Sequence, residues 1–241
     1  MIKVCLGGTF DPVHDGHLAL FRKAFELGDF VVVGITSDEL ATHWKPGASS
    51  FARRAKGVSE ILKRYGKPFR IAELNDRYGP ALYEDFDYII VSPETYRVAR
   101  DMNEIRRRDG RKELKIIKVP WVLADDFMPI SSCRIRALEI DAHGRRLKKL
   151  PVKVCDEELL NLFELFGLEC EVKEKGWDLC VDRKVENVNG WEKETIILSD
   201  RYGRKRKASL YHEKGKKEDK KLFLSILIGC EIEKNRSRKA I

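Results

Sequence analysis

The stretch GGTFDPVHDGH, residues 7 to 17, stands between an apolar segment that ends at Leu6 and an amphipathic segment that ends at Gly28. Glycines directly after a strand let the chain turn tightly and let its backbone approach a ligand. A helix that begins at the end of such a turn presents unpaired N–H groups and a partial positive charge. The stretch therefore predicts a strand, a phosphate-binding turn and a helix, in that order.

Two histidines in this stretch, His14 and His17, are three residues apart and share one face if a helical turn includes both. Imidazole donors at that place can stabilise charge that develops on a phosphoryl group. The same pair could bind zinc or iron if a third ligand converged, and Asp11 is conceivable as one, although Asp followed by Pro is also ordinary turn chemistry. We favour phosphate, and predict no metal site.

The pattern of the first 147 residues alternates between short apolar runs and amphipathic segments. Strands are predicted over 2–6, 29–36, 69–74, 87–92 and 114–120, and helices over 17–28, 51–64, 94–108 and from about 131. Such alternation favours the α/β class, with a parallel sheet covered on both faces. Ligands of such sheets bind at the carboxyl ends of the strands, which is where residues 7–17 lie.

A second region begins after GRRLKKLP, residues 144–151, whose basic residues and proline predict a linker. We therefore expect one domain over 1–147 and a smaller α+β domain over 151–241. Within the smaller domain the predicted elements are a helix over 155–167, strands over 168–172 and 177–182, a hairpin over 194–212 and a final helix over 219–229.

The stretch PISSCRIR, residues 129–136, is a second candidate for phosphate binding. A proline and two serines before an apolar-periodic run predict a helix start, with hydroxyls, backbone N–H groups and Arg134 or Arg136 available to the outer phosphates of a nucleotide. Alone it indicates only a helix cap. Together with residues 7–17 it indicates a nucleotide site.

These two stretches, GTFDPVHDGH and ISSCRIR, resemble the nucleotidyltransferase superfamily marked by an H-x-G-H motif. With VSPETYRVARDMNEIRRRDG, residues 91–110, they resemble in particular the archaeal and eukaryotic-type phosphopantetheine adenylyltransferases, over residues 1–147 only. The resemblance implies a Rossmann-like nucleotidyltransferase domain, with ATP and 4′-phosphopantetheine as substrates and Mg²⁺ accompanying ATP. In that family the substrate phosphate attacks the α-phosphorus of ATP directly, and dephospho-coenzyme A and pyrophosphate result.

The resemblance also implies roles for individual residues. His14, His17 and Lys45 would be catalytic, with His17 the most direct stabiliser of the transition state and Lys45 bridging the attacking and α-phosphates. The alternative for Lys45 is a solvated loop lysine. Contacts to substrate and nucleotide are implied for Gly8, Thr9, Phe10, Ser131, Ser132 and Arg134.

Two departures from the family pattern affect this assignment. Cys133 stands where the motif usually has Ser or Thr, so a thiol replaces a hydroxyl. The arginine-bearing G-L-R segment of the bacterial enzymes is absent, and SPETYRVAR takes its place. Arg97 is the candidate for the phosphate contact, and the alternative is a solvated basic face, because several arginines follow it: Arg100, Arg106, Arg107, Arg108 and Arg111.

The distribution of charge along the sequence is also compatible with a protein that binds a polyanion. The net charge is +8, and residues 200–241 hold 14 Lys and Arg against 6 Asp and Glu, whereas residues 151–199 hold 6 against 12. Residues 201–221 include Tyr202 and Tyr211 among the basic side chains, a composition that permits binding of nucleic acid or another polyanion. A solvated hairpin is the alternative.

Three function hypotheses thus remain: phosphopantetheine adenylyltransfer; another nucleotidyl transfer such as that to flavin mononucleotide or glycerol phosphate; and a nucleotide-sensing, RNA- or polyanion-binding protein. The six cysteines include no C-x-x-C pair, so buried free thiols are expected. No apolar run reaches 18 residues and no secretory signal follows Met1, so we expect a cytoplasmic protein without membrane contact. The sequence does not indicate an oligomeric state.

Overall fold

The computed structural model describes residues 1–45, 47–126, 128–154, 160, 163, 169–189, 191–201, 203 and 205–213. Contacts divide the chain into two compact units. The first unit is Met1–Val122 with Ile130–Arg136, and the second is Leu123–Pro129 with Ala137–Ile241. Residues 137–147, expected in the first domain, thus group with the second unit.

The first unit contains a five-stranded sheet and its covering helices. The strands are β1 (Lys3–Gly8), β2 (Phe30–Thr36), β3 (Phe69–Leu74), β4 (Tyr88–Val91) and β5 (Lys115–Lys118). The helices are α1 (Asp15–Leu27), α2 (Asp38–Trp44), α3 (Phe51–Lys63), α4 (Tyr96–Arg108) and α5 (Ser132–Arg136), with a 3₁₀ turn at Gly79–Leu82. The predicted strands and helices are confirmed within a few residues, whereas α2 and the 3₁₀ turn were not predicted.

The sheet is parallel throughout and has the order β3-β2-β1-β4-β5. The chain builds outward from β1 to β3 and then crosses back to place β4 on the other side of β1. In a Rossmann-like sheet this reversal leaves a crevice at the carboxyl ends of β1 and β4. The expected α/β, Rossmann-like fold is confirmed, and the turn at residues 7–17 lies at this crevice.

Alternating side chains bury both faces of the sheet. Val4 and Leu6 belong to one core cluster, which includes residues of α1 and α3, while Cys5 between them belongs to a second cluster with Met102 of α4. Val31 and Val33 likewise lie in the first cluster, and Val32 in the second. This period of two explains why the strand sequences are almost continuously apolar.

The second unit contains a mixed sheet of the order β10-β9-β8-β6-β7. Its strands are β6 (Leu150–Val154), β7 (Cys170–Val172), β8 (Leu179–Val188), β9 (Trp191–Asp200) and β10 (Lys205–Glu213). β6 runs parallel to β7 and β8, and β8, β9 and β10 are antiparallel. The predicted hairpin is confirmed by β9 and β10, and a second, smaller sheet domain is present as expected.

The predicted linker at 144–151 is wrong. Ile140 and Arg146 pair in an isolated bridge, and β6 begins at Leu150, which is fully buried together with Val152. A run of basic residues is typical of a solvent-exposed linker. Here Arg146 is mostly buried, because it pairs with Asp126 and Asp178, which are distant in the sequence. The alternation L-P-V-K-V is also too short to stand out from the basic run before it.

Several predictions fall wholly or partly outside the described residues. Of the predicted helix at 155–167 only Leu160 and Phe163 are described, and both are helical. The helix at 219–229 and residues 214–221 of the basic segment lie outside, so polyanion binding stays a prediction. In the described part of the chain, no helix is long and apolar enough to cross a membrane.

The cysteines only partly match the expectation of buried thiols. Cys5 and Cys180 are buried, but Cys170 is half-buried and Cys133 is exposed. Cys133 lies in α5 between Ser132 and Arg134, which are the buried residues of this helix, and its own side is exposed. The remaining two cysteines, Cys155 and Cys230, lie outside the described residues.

Candidate active site

A cavity of about 420 Å³ opens at the carboxyl ends of β1 and β4 within the first unit. Most of the predicted site residues line it: Gly8, Thr9, Phe10, His14, His17, Lys45, Ser131 and Ser132. Two motifs more than a hundred residues apart in the sequence therefore meet in one pocket. Their convergence was expected from the sequence, and the roles of the single residues stay predictions.

The two histidines are stacked at the start of α1. The carbonyl of His14 accepts the N–H groups of His17 at 2.7 Å and of Leu18 at 3.0 Å, and the two imidazole centroids lie 3.8 Å apart at 25°. A Cβ atom at Gly16 would lie 3.0 Å from two atoms of the His14 ring. The glycine between the histidines thus leaves room for the His14 ring.

Burial keeps both imidazoles neutral. His14 is 7% exposed, and burial together with the charge of Lys45 lowers its pKa from 6.5 to about 4. Burial, His14 and Lys45 lower the pKa of His17 well below 6.5. At neutral pH each ring therefore carries one N–H group and one acceptor nitrogen.

Neither ring is fully satisfied by the protein. Nδ1 of His14 and Nδ1 of His17 are buried and meet no hydrogen-bond partner within the described residues. A buried polar atom without a partner costs about 1–3 kcal/mol. An anion bound beside these rings would accept their N–H groups and would raise the pKa of both histidines. The arrangement therefore suits phosphate.

The ring of Phe10 packs against the ring of His17. The Phe10 ring meets the His17 ring edge-on with centroids 5.0 Å apart, and the centroid of the Phe21 ring also lies 5.0 Å away. Phe10 is 2% exposed and has φ of 55°, a left-handed conformation that strains a bulky residue by about 1–3 kcal/mol. The turn holds this strained residue where its ring fixes the position of His17.

Hydrogen bonds connect the ISSCRIR motif to the turn at residues 7–17. The hydroxyl of Ser132 donates to the carbonyl of Pro12 at 3.2 Å, and Nη1 of Arg136 donates to the carbonyl of Asp11 at 2.7 Å. Ser131 accepts the N–H of Arg134 through its hydroxyl at 3.4 Å. The sequence predicts ligand contacts for both serines, whereas the structure shows that Ser132 also joins the two motifs.

The predicted basic residues separate into two groups. Lys45, directly after α2, is half-buried and lines the cavity, where its charge acts on both histidines. Arg97 is exposed on α4 and Arg134 is 2% exposed, and neither is among the cavity-lining residues. A nucleotide contact by either arginine stays a prediction.

The sequence did not reveal one cation and several apolar side chains that line this cavity. Arg77, in the loop after β3, lines the cavity and is exposed. The signal available was its place just after a parallel strand, at the edge where ligands bind. The apolar lining residues that were not predicted include Leu74, Tyr78, Phe86, Met102 and Trp121. In the sequence these side chains resemble ordinary core residues.

The fold and this cavity define a class of protein. The family model described as cytidylyltransferase-like matches residues 5–138, more than half of the chain. The chain therefore belongs to the cytidylyltransferase-like family. The resemblance inferred from the H-x-G-H and ISSCRIR motifs is thereby confirmed at the level of the superfamily.

Similar proteins narrow the class. A phosphopantetheine adenylyltransferase of Methanosarcina barkeri is 48% identical over 155 residues, which are 62% of this chain and 96% of that protein. One of Archaeoglobus fulgidus is 41% identical over 145 residues, 59% of this chain and 98% of that protein. A bifunctional phosphopantetheine adenylyltransferase/NTP phosphatase of Thermoplasma volcanium is 48% identical over 156 residues, 64% of this chain and 47% of that protein. The predicted subfamily is thus confirmed.

Proposed function

We propose that this protein transfers the adenylyl group of ATP to 4′-phosphopantetheine, giving dephospho-coenzyme A and pyrophosphate. Relatives that carry the name of this activity match over nearly their whole length. The observation that supports it most is the stacked pair His14 and His17, neutral and incompletely bonded, in a cavity with Lys45. Apolar side chains that line the same cavity suit the uncharged part of a pantetheine chain.

The reaction needs no protein nucleophile. A phosphate oxygen of 4′-phosphopantetheine attacks the α-phosphorus of ATP, a new P–O bond forms, the α–β bridging bond breaks, and pyrophosphate leaves with the electron pair. The protein contributes position and charge neutralisation. His17 and His14 donate N–H groups to phosphate oxygens, and the N–H groups at the start of α1 face the same charge.

Lys45 is proposed to stand between the two reacting phosphates. Its ammonium lies close enough to lower the pKa of both histidines, so it also acts on an anion beside them. We propose that Mg²⁺ enters on the triphosphate of ATP, because this ion prefers phosphate oxygens and water as ligands. In the described residues, no group of three or more His, Cys, Asp or Glu side chains could hold a metal ion.

Steady-state release of pyrophosphate tests the assignment. The full chain is assayed with ATP or CTP as donor, and with 4′-phosphopantetheine, flavin mononucleotide or glycerol 3-phosphate as acceptor. We expect turnover with ATP and 4′-phosphopantetheine, at least about a hundredfold above any other pair. Turnover with CTP alone, or with another acceptor at a comparable rate, contradicts the assignment.

A further inference from the structure

Arg54 is a buried cation directly behind the phosphate-binding turn. It lies in the first turn of α3 and is 3% exposed. Its carboxylate partner is Asp38, 2.8 Å from Nη2, whose side chain is 60% exposed. A buried guanidinium is costly unless its N–H groups are bonded, so the partners of Arg54 show what it holds.

Two of the residues that Arg54 contacts, Thr9 and Thr36, line the cavity. Nε donates to the carbonyl of Ser49 at 2.7 Å, and Nη1 donates to the carbonyl of Thr36 at 2.7 Å and the hydroxyl of Thr36 at 3.2 Å. Nη1 also lies 3.5 Å from the carbonyl of Thr9. One side chain thus connects the turn after β1, the end of β2 and the segment before α3.

The bonds have a fixed direction. Arginine has only donors, so the hydroxyl oxygen of Thr36 accepts from Arg54. The single hydroxyl hydrogen of Thr36 is then directed to the hydroxyl oxygen of Thr9, 3.3 Å away. Because Thr9 accepts in this chain of bonds, its own hydroxyl hydrogen is not used in the bond to Thr36, and both threonines line the cavity.

A second buried arginine, Arg106, has a different set of hydrogen-bond partners from Arg54. Arg106 is fully buried, and four of its hydrogen bonds go to carbonyls, those of Ala81, Leu82, Glu84 and Lys112. Its remaining described partner is the exposed carboxylate of Asp85. The described hydrogen bonds of Arg106 connect loops and include none to a side chain that lines the cavity. Arg54, in contrast, donates to the hydroxyl of Thr36, which lines the cavity.

We propose that Arg54 and Thr36 are positioning residues that orient the hydroxyl of Thr9 as a donor to a bound phosphate group. Arg54 sets the direction, Thr36 transmits it, and Thr9 delivers the hydrogen bond. The inference rests on the proposed function only in that the cavity binds phosphates. It needs neither the identity of the acceptor nor turnover.

Calorimetric titration with pyrophosphate tests the chain of bonds. Thr36→Val removes the hydroxyl and keeps the shape of the side chain. We expect affinity for pyrophosphate to fall about fivefold, the effect of one neutral hydrogen bond. Thr36→Ser should restore most of the affinity. Thr42→Val, which removes an exposed threonine hydroxyl bonded to the Asp38 carbonyl, is the matched control and should bind as the wild type does.

A double-mutant cycle separates positioning from general support of the fold. If Thr36 acts through Thr9, Thr36→Val costs nothing further in a Thr9→Ala background. Arg54→Lys should weaken binding by a similar factor, whereas Arg53→Lys, at the exposed neighbouring position, should not. Circular dichroism verifies that each variant is folded, and if Arg54→Lys is not, the threonine cycle alone decides.

Independent losses that add in the Thr9 and Thr36 double variant would overturn the proposal, as would unchanged affinity in Thr36→Val. No binding of pyrophosphate to the wild-type protein would overturn it together with the phosphate site. If pyrophosphate binds with the expected coupling but ATP and 4′-phosphopantetheine give no turnover, the proposed function fails and the role of Arg54 and Thr36 stands.

Discussion

Two groups of buried polar side chains, one in each compact unit, differ in what the protein provides for them. In the first unit, His14 and His17 lie stacked with buried nitrogen atoms that meet no partner within the described residues. In the second unit, Arg146 bonds Asp126 at 2.9 Å and Asp178 at 3.5 Å. In the second unit one guanidinium is thus paired with two carboxylates. In the first unit two neutral imidazole rings keep nitrogen atoms that the described protein atoms do not bond.

The ion-pair group of the second unit continues beyond Arg146. Its guanidinium also donates to the carbonyls of Lys148 and Lys149, and Asp178 accepts from Arg201 at 2.9 Å. Arg201 in turn bonds Glu139 at 2.6 Å. Groups that satisfy one another in this way hold a fold together, whereas groups left unsatisfied at the end of a parallel strand are suited to a ligand. The difference predicts that variants in the two places have opposite consequences.

The largest expected effect is on stability, at Arg146. Asp126 has no exposed side-chain surface, so Arg146→Met removes a cation from a fully buried carboxylate. The free energy of unfolding should fall by about 3–5 kcal/mol. Urea-induced unfolding measures it, with the exposed neighbour Arg145→Met as the control. A loss below about 1 kcal/mol would show that the ion pairs of Arg146 do not stabilise the fold as this comparison requires.

His17→Ala should have the opposite profile. Removing one donor to the transition state lowers kcat roughly 10²–10³-fold. The circular dichroism spectrum should not change, because the described protein atoms supply no partner for Nδ1 of His17. The exposed His143→Ala, in the second unit, is the control and should keep wild-type kcat. Near-normal turnover of His17→Ala would remove His17 from the reaction.

The pH dependence of stability should reveal the two buried histidines of the first unit, His14 and His17. The pKa of His14 is lowered to about 4 in the folded protein, against 6.5 when unfolded. Between these values the unfolded chain binds the extra proton, so stability is full above about pH 6.5 and is lost as the pH falls toward 4.

The depression of the pKa corresponds to about 3 kcal/mol across that interval. Urea-induced unfolding at a series of pH values measures the loss, to which His17 adds its own share because its pKa is lowered as well. His14→Gln, which cannot titrate at this position, should remove the share that belongs to His14. An equal slope in the wild type and in His14→Gln would mean that His14 is already charged in the folded state.

The smallest of these effects is expected for Lys45→Met. Loss of a half-buried cation beside the phosphates should lower kcat/KM about tenfold, about 1.4 kcal/mol. The pKa of His14 should rise at the same time, because Lys45 contributes to its depression. Lys56→Met, on the exposed side of α3, is the matched control. Unchanged kinetics would support the reading of Lys45 as a solvated loop lysine.

Much of the first unit could be predicted from local signals. The strands β1 to β5 follow from apolar runs of the right length, and the turn at residues 7–17 follows from its glycines and histidines. Arg146 could not be predicted as buried, because the partners that permit its burial lie 20 and 32 residues away in sequence. Arg77, which lines the cavity, was not predicted although it follows a parallel strand, whereas Arg97, which is not among the lining residues, was selected from the resemblance.

The central claim is that His14 and His17 form a neutral pair that completes its hydrogen bonding on a nucleotide phosphate. NMR titration of the imidazole signals of the full chain, with and without α,β-methylene-ATP, tests this directly. Without nucleotide we expect a pKa of about 4 for His14, and a pKa of His17 well below 6.5. With nucleotide both pKa values should rise, because the phosphates favour the imidazolium. Ordinary pKa values near 6.5 in the free protein, or no change on binding, would contradict the account.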